Sequence, residues 1–356
     1  MNPFALRLLG SAASTVDRAF VAALQLRNRG ARARAEALGH DERIAALARI
    51  QDAYGAPALI EDRQAFFPAP AAVSPRLRRV RALPWGGECL ELWWPSAFRP
   101  FHAGGPRTYR ATGPNATAYA RLYGGATRRP AAILVHGYMS GHWSFEERAW
   151  PIRWMNQHGL DVALTVLPFH GVRARPGGGA PPFPGGDPGL TNEGFRQVVA
   201  DLRSLVAILR ERGAPSVGVM GMSLGGYSTA LLATLEPDLS FAVPLIPLAS
   251  VADFARDQGR FGVGRRAELQ HAALEAANRV VSPLSRPRLL PKERMLIVGA
   301  EADRVTPIAH AERLASHFDV PLLRVVGGHL VQTWRGEAFR AIREMLRREG
   351  ILQPIR

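Results

Sequence analysis

The stretch VGVMGMSLGGYS, from Val217 to Ser228, leaves the chain few ways to fold around it. Ser216 to Met220 is a short apolar run with β-branched residues, which suits a strand buried in a parallel sheet. Tyr227 to Leu235 reads as a helix stopped by Pro237. Between the two, Gly221-Met222-Ser223-Leu224-Gly225 must turn the chain sharply. A serine on so tight a strand-to-helix turn needs neighbours without side chains to avoid collisions, and Gly221 and Gly225 meet that need.

The flanking sequence repeats the same alternation. Ala131–Val135, Asp161–Leu167, Phe241–Ile246, Met295–Val298 and Leu322–Val326 read as further strands, with helices around Glu146 to Gln157 and from Glu193 to Arg212 between them. Thr191 or Asn192 is a candidate N-cap for the second helix. Strand then helix, repeated, means an α/β fold with a mostly parallel central sheet flanked by helices, and in such sheets ligands bind at the carboxyl ends of the strands. From Val80 to Tyr123 short strand-like pieces alternate with turns, as antiparallel edge strands do. Residues 251–293 are too many for a plain connection and carry a helix from Arg266 to Val280, so they read as a lid-like insertion over the strand ends.

Residues 1–75 differ in character. They are rich in alanine and arginine, with apolar residues at helical spacing in two places: Leu6, Leu9, Ala13 and Val16, then Ile44, Leu47, Ala48 and Ile50. Pro68, Pro70 and Pro75 mark the boundary. The expected organisation is a helical N-terminal extension over residues 1–75 and an α/β domain over residues 76–356. The extension either packs on the main domain or serves as a peripheral membrane or oligomer contact.

With 356 residues and 47% hydrophobic content, the chain can bury a substantial core. Its formal net charge of +15 raises the question of an anionic partner. Lys292 is the single lysine among 45 basic residues, however, and the arginines are scattered without a nucleic-acid motif, so no nucleic-acid partner is expected. Cys89 is the only cysteine, which excludes an intramolecular disulfide and fits a reducing compartment such as the cytoplasm. No apolar run reaches the roughly 18 residues of a membrane span, and neither Phe4–Leu9 nor Ala19–Leu24 has the organisation of a signal peptide. No metal, P-loop or dinucleotide motif is present, so no cofactor is expected.

A serine hydroxyl is a weak nucleophile near neutral pH and needs a base and a group to orient that base. Asp303, after the strand Met295–Val298, and His329, after the strand Leu322–Val326, fall where these would be required. Ser223, Asp303 and His329, in that chain order and each past a strand end, resemble the α/β-hydrolase superfamily over roughly Val80 to Arg348. The resemblance implies that Ser223 attacks an acyl carbonyl, His329 relays the proton and Asp303 fixes the imidazole. Asp253 is the second choice of acid. The resemblance also implies an oxyanion hole from the Leu224 N–H and a second N–H after the strand Ala131–Val135, at Tyr138 or Met139. The sequence there, His136-Gly137-Tyr138-Met139, lacks the His-Gly-Gly-Gly run of many lipases.

Met139, Phe169 and His170 are candidate pocket residues, along with Tyr138, Trp143 and Phe183. For His170 a bond within its own turn is the simpler reading, for the aromatics local packing, and for His136 a structural loop role. The expected activity is hydrolysis of a carboxylic ester, small or lipid-like, through an acyl-enzyme. An acyltransferase or thioesterase on the same fold, and a non-catalytic binding or scaffold protein, are the alternatives.

Overall fold

The computed structural model describes residues 3–27, 39–102, 113–125, 128–175, 177 and 179–353. Nine strands form one sheet in the order β1-β2-β3-β5-β4-β6-β7-β8-β9. Strands β1 (Arg76–Ala82), β2 (Glu88–Pro95) and β3 (Thr117–Gly124) are the antiparallel edge, and β3 also runs antiparallel to β5 (Asp161–Thr165). From β5 onward the sheet is parallel, through β4 (Ala131–Val135), β6 (Val217–Met222), β7 (Ala242–Leu245), β8 (Ile297–Ala300) and β9 (Leu322–Val325). The sheet is therefore mixed, mostly parallel and covered by helices, as the alternation implies.

The central strands are buried along their whole length, and successive side chains enter two different cores. Ile133, Val135, Val217 and Val219 join one hydrophobic cluster, whereas Ala132, Leu134, Met220 and Met222 join the other. This is the period-of-two consequence of a sheet covered on both faces.

The helices, in chain order, are α1 (Pro3–Arg27), α2 (His40–Tyr54), α3 (Ala58–Glu61), α4 (Arg63–Phe66), α5 (Trp143–Ala149), α6 (Ile152–Gln157), α7 (Pro188–Glu211), α8 (Leu224–Leu232), α9 (Val251–Asp257), α10 (Arg265–Ala277), α11 (Ile308–Phe318) and α12 (Arg335–Arg348). Several boundaries shift by a few residues, as in α8, expected from Tyr227 to Leu235, and α10, expected from Arg266 to Val280, and two shifts have a visible cause. The helix expected from Glu146 to Gln157 is split into α5 and α6, because Pro151 forces Trp150 into an extended conformation (φ −112°, ψ 142°). The long helix begins before Thr191 and Asn192: Asp187 is its N-cap, accepting the Leu190 N–H at 3.0 Å, and Pro188 fills the first helical position.

The N-terminal helices are built into the rest of the chain. Helix α2 packs against α10, with Gln270 within 2.9 Å of His40 Nδ1. Tyr54 donates to Glu193 at 2.9 Å, and the Arg286 guanidinium donates to the carbonyls of Leu59 and Ile60 at 2.9 and 3.1 Å. On α1 the buried face runs through Ala13, Ser14 and Asp17, while Val16, expected on the apolar face, is 44% exposed. The side chains of Leu6 and Leu9 lie outside those described. Among the described residues no helix is long and apolar enough to cross a membrane.

The junction of β6 and α8 depends on missing side chains. A Cβ on Gly225 would stand 2.1 Å from the Val135 carbonyl oxygen, and one on Gly221 would stand 2.1 Å from the Gly225 carbonyl oxygen. Neither backbone can yield without opening the sheet, so Gly225→Ala is expected to cost about 3 kcal/mol or more of unfolding free energy. Gly186→Ala, where a Cβ meets nothing within 4 Å, is the matched control. Urea denaturation of both variants checks this; equal midpoints would refute the packing argument.

Candidate active site

Ser223 occupies the turn between β6 and α8 with φ 57° and ψ −115°, a region that residues with a Cβ seldom adopt. A serine that merely starts a helix has extended dihedrals and accepts a backbone N–H on its hydroxyl. Ser223 makes no such cap bond. Its own N–H donates to the Leu245 carbonyl at 3.0 Å, which holds the turn against the end of β7. The residue is 9% exposed, at the carboxyl end of the parallel strands.

Asp303 and His329 lie on the loops after β8 and β9, and the structure pairs them. His329 Nδ1 is 2.7 Å from Asp303 Oδ2, with the carboxylate 1% exposed. The other carboxylate oxygen, Oδ1, accepts the N–H groups of Val305 and Thr306, both at 2.8 Å. One oxygen thus fixes the turn and the other receives the imidazole. The Thr306 hydroxyl sits 3.1 Å from both Asp303 Oδ2 and His329 Nδ1 and 3.0 Å from the Ile246 carbonyl. It ties the pair to the end of β7, the strand whose Leu245 carbonyl holds Ser223. Gln332 makes a second link, donating to the His329 carbonyl at 2.9 Å and lying 3.8 Å from the sulfur of Met222, next to Ser223.

Burial pushes the His329 ring toward its neutral form, but the charges of Asp303 and Asp17 and the hydrogen bond that the ring donates to Asp303 outweigh it, so its pKa is raised above the ordinary imidazole value. With Nδ1 engaged by Asp303, Nε2 is the nitrogen left to exchange a proton.

The loop after β4 approaches Ser223 closely: a Cβ on Gly137 would stand 3.5 Å from that of Ser223. Tyr138 and Met139 follow it, half-buried, with Met139 at φ 61°. Two buried side chains fix this loop. Glu146 accepts the Gly141 N–H at 2.9 Å, the Trp150 indole N–H at 3.1 Å and the Ser140 hydroxyl. His136 Nε2 accepts the Leu167 N–H at 3.0 Å, which makes Nδ1 the donor to the Gly137 carbonyl at 2.7 Å. Burial lowers its pKa, and His136 is a neutral strut between the loops after β4 and β5.

His170 is 1% exposed and its Nδ1 lies 2.8 Å from the Pro168 carbonyl within its own turn. Burial, with His136 beside it, pushes its pKa down to about 3. Phe169 and Phe183 are buried in the larger hydrophobic cluster. Tyr138 donates its hydroxyl to the Pro181 carbonyl at 3.0 Å and stacks edge-on against His170.

Asp253 is held by partners other than His329. Its oxygens bind Arg256 at 2.8 Å, His271 at 2.9 Å and Arg313, and these partners more than offset burial to lower its pKa. Among the described residues no group of three or more His, Cys, Asp or Glu side chains forms a metal site. A cleft lined by Trp85, Gly124, Arg129 and Asn156 lies where β5 begins, at the opposite end of the parallel strands from Ser223.

Several supports have no motif in the sequence. Arg173, fully buried, bonds Asp201 at 2.8 Å and the Val166 and Asn115 carbonyls at 3.0 Å, anchoring the His170 turn to α7. Asp17 accepts the His329 N–H at 2.7 Å from a helix that the sequence reads only as an extension. A carboxylate in register with Ala13, on the face that turns inward, was its one available signal.

No protein-family model matches the chain. Over 283 residues it is 31% identical to an uncharacterized protein of Mycobacterium tuberculosis, an alignment covering 74% of this chain. The chain spans 65% of the length of the curated relatives it matches. Among solved structures it is similar to an acetyl xylan esterase from Paenibacillus sp. R4, with TM-score 0.56 and 16% identity, covering 83% of this chain and 98% of that one. It is also similar to acetyl xylan esterase 1 from Thermoanaerobacterium sp. JW/SL YS485, with TM-score 0.52 and 17% identity, covering 81% and 94%. At these identities the likeness is one of fold.

The pairing of His329 with Asp303 generates a titration prediction. Followed by NMR and assigned by its loss in His329→Gln, the ring is expected to titrate above the ordinary value of about 6.5, doubly protonated below its midpoint and neutral above it. Asp303→Asn is expected to bring the midpoint down. A midpoint at or below the ordinary value in the unaltered chain contradicts the pairing.

Proposed function

We propose that this chain, which has the α/β-hydrolase fold, is a serine hydrolase that cleaves a carboxylic ester through an acyl-enzyme. The observation that carries the reading is Ser223 itself, held at φ 57° on the β6–α8 turn with no helix-capping bond, at the sheet end where the His329–Asp303 pair sits. Strain at one uncapped hydroxyl has no evident use in stability, and it has an evident use in presenting a nucleophile. The two similar solved structures are esterases by name, in keeping with an ester as the substrate class.

On this reading the Ser223 hydroxyl attacks the ester carbonyl carbon while His329 Nε2 takes its proton. Asp303 holds the Nδ1–H tautomer and stabilises the imidazolium that forms. The oxyanion of the tetrahedral intermediate is received by the Leu224 N–H at the start of α8 and by a second N–H from the loop at Tyr138 or Met139. That loop is fixed in advance by Glu146 and His136, and one such donor contributes about 10²- to 10³-fold in rate. As the intermediate collapses, the carbon–oxygen bond to the alcohol breaks and His329 returns the proton to the departing oxygen. Water then attacks the acyl-enzyme with His329 again as base, releasing the carboxylic acid and restoring Ser223.

Turnover of p-nitrophenyl acetate tests this. Ser223→Ala is expected to lower kcat/KM by about 10⁴-fold or more. Because a base must be neutral and the His329 pKa is raised, the acid limb of kcat/KM is expected above the ordinary imidazole value. Undiminished turnover in Ser223→Ala would overturn the reading. Capture of the acyl group by an added alcohol, amine or thiol in preference to water would make the chain an acyltransferase instead.

A further inference from the structure

The N-terminal helix α1 places a carboxylate against the backbone of the His329 loop. Asp17 is 0% exposed. Its Oδ2 accepts the His329 N–H at 2.7 Å and the Arg304 N–H at 3.2 Å, and its Oδ1 accepts the Leu330 N–H at 3.0 Å. Arg304 follows Asp303 in sequence. A single side chain therefore bonds the loop bearing the base and the loop bearing the acid, one residue or less from each.

Close approach is built into both sides of this contact. Gly10, Ala13 and Ser14 lie on the same face of α1 as Asp17 and are small. A Cβ on Gly328 would stand 2.7 Å from Asp17 Oδ2 and 3.2 Å from the Ala13 Cβ, so only glycine leaves room for the carboxylate before His329. Ser14 accepts the Arg304 guanidinium Nε at 2.8 Å, a second anchor one turn away. A carboxylate wholly removed from water costs several kcal/mol unless its oxygens are satisfied, and here three N–H groups satisfy them. A helix held down by apolar contacts alone would not need that arrangement.

We propose that Asp17 is a positioning residue of the active site: it holds the backbones of His329 and Arg304 so that the imidazole and the Asp303 carboxylate stay in register, making α1 part of the catalytic apparatus. This rests on the hydrolase reading above for its catalytic meaning. The charges that face His329 are Asp303 from the β8 loop and Asp17 from α1, with the Arg304 guanidinium drawn away to Ser14. Asp17→Asn removes one of the two negative charges and turns an N–H donor toward a backbone N–H. It loosens the loop and weakens the stabilisation of the imidazolium together.

The experiment compares Asp17→Asn, Asp17→Glu and Ser14→Ala in the full chain. For Asp17→Asn, kcat on p-nitrophenyl acetate is expected to fall between about tenfold and 100-fold, the scale of a misplacement near 1 Å, with KM within about twofold. The His329 midpoint, read by NMR, and the acid limb of kcat/KM both move to lower pH. Asp17→Glu keeps the charge and is expected to keep the midpoint while losing part of kcat. Ser14→Ala loosens the helix but is expected to leave the midpoint in place. If Asp17→Asn does not retain the near-ultraviolet dichroism of the unaltered chain, Asp17→Ser makes the same comparison with a smaller acceptor. Unchanged kcat and an unchanged His329 midpoint, with only a lower Tm, would reduce Asp17 to a docking contact and overturn the proposal. The NMR arm is independent of turnover: an unaltered chain that does not turn over the ester, with a midpoint that still shifts in Asp17→Asn, sinks the hydrolase reading and keeps the contact, whereas an active unaltered chain whose midpoint and kcat do not move in Asp17→Asn does the reverse.

Discussion

The backbone of one residue, Ser223 at φ 57°, sets the terms for the rest of the molecule. A side chain survives in that conformation only if the structure around it permits no other. The constraint comes from β4 and β7. The Val135 carbonyl crowds Gly225 from one side, and the Leu245 carbonyl receives the Ser223 N–H from the other. Both contacts need β4, β6 and β7 to be adjacent and parallel, as they are in the sheet. Sheet order, the two glycines and the uncapped hydroxyl are one requirement seen at three scales.

A second set of constraints acts on the imidazole. Asp303 divides its two oxygens between the turn at Val305–Thr306 and His329, so the group that orients the ring is itself oriented by backbone donors. Thr306 and Gln332 connect that arrangement to the strand ends beside Ser223. Asp17 then closes the same loops from outside the sheet. Residues 1–75 and 251–293 meet through α2 and α10. Separation in sequence runs from two residues, between Asp303 and Val305, to 312, between Asp17 and His329, and the long-range contacts exist only once the sheet has formed.

Legibility in the sequence followed the range of the interaction. The elbow could be read because its requirements are local: an apolar β-branched run, glycines two residues either side of a serine, then a helix. Strand alternation was visible for the same reason. The missed boundaries were also local but were decided by proline, with Pro151 breaking a helix and Asp187-Pro188 starting one a turn earlier. Asp303 could be placed by its position after β8, but not separated from Asp253 without the ring of Arg256, His271 and Arg313 that occupies Asp253. The Arg173–Asp201 pair and Asp17 were out of reach. Each is a polar residue whose partner is set by the packing of separate elements; helical register puts Asp17 on the inward face with Ala13 but does not name its partner.

The central claim is that the strain at Ser223 exists to present a nucleophile. Intact-mass spectrometry after exposure to a fluorophosphonate, followed by peptide mapping, asks this of the unaltered chain without reference to any substrate. The account predicts one adduct per chain, on the peptide containing Gly221 to Gly225 and on Ser223. No adduct, or one on a different residue, would contradict it.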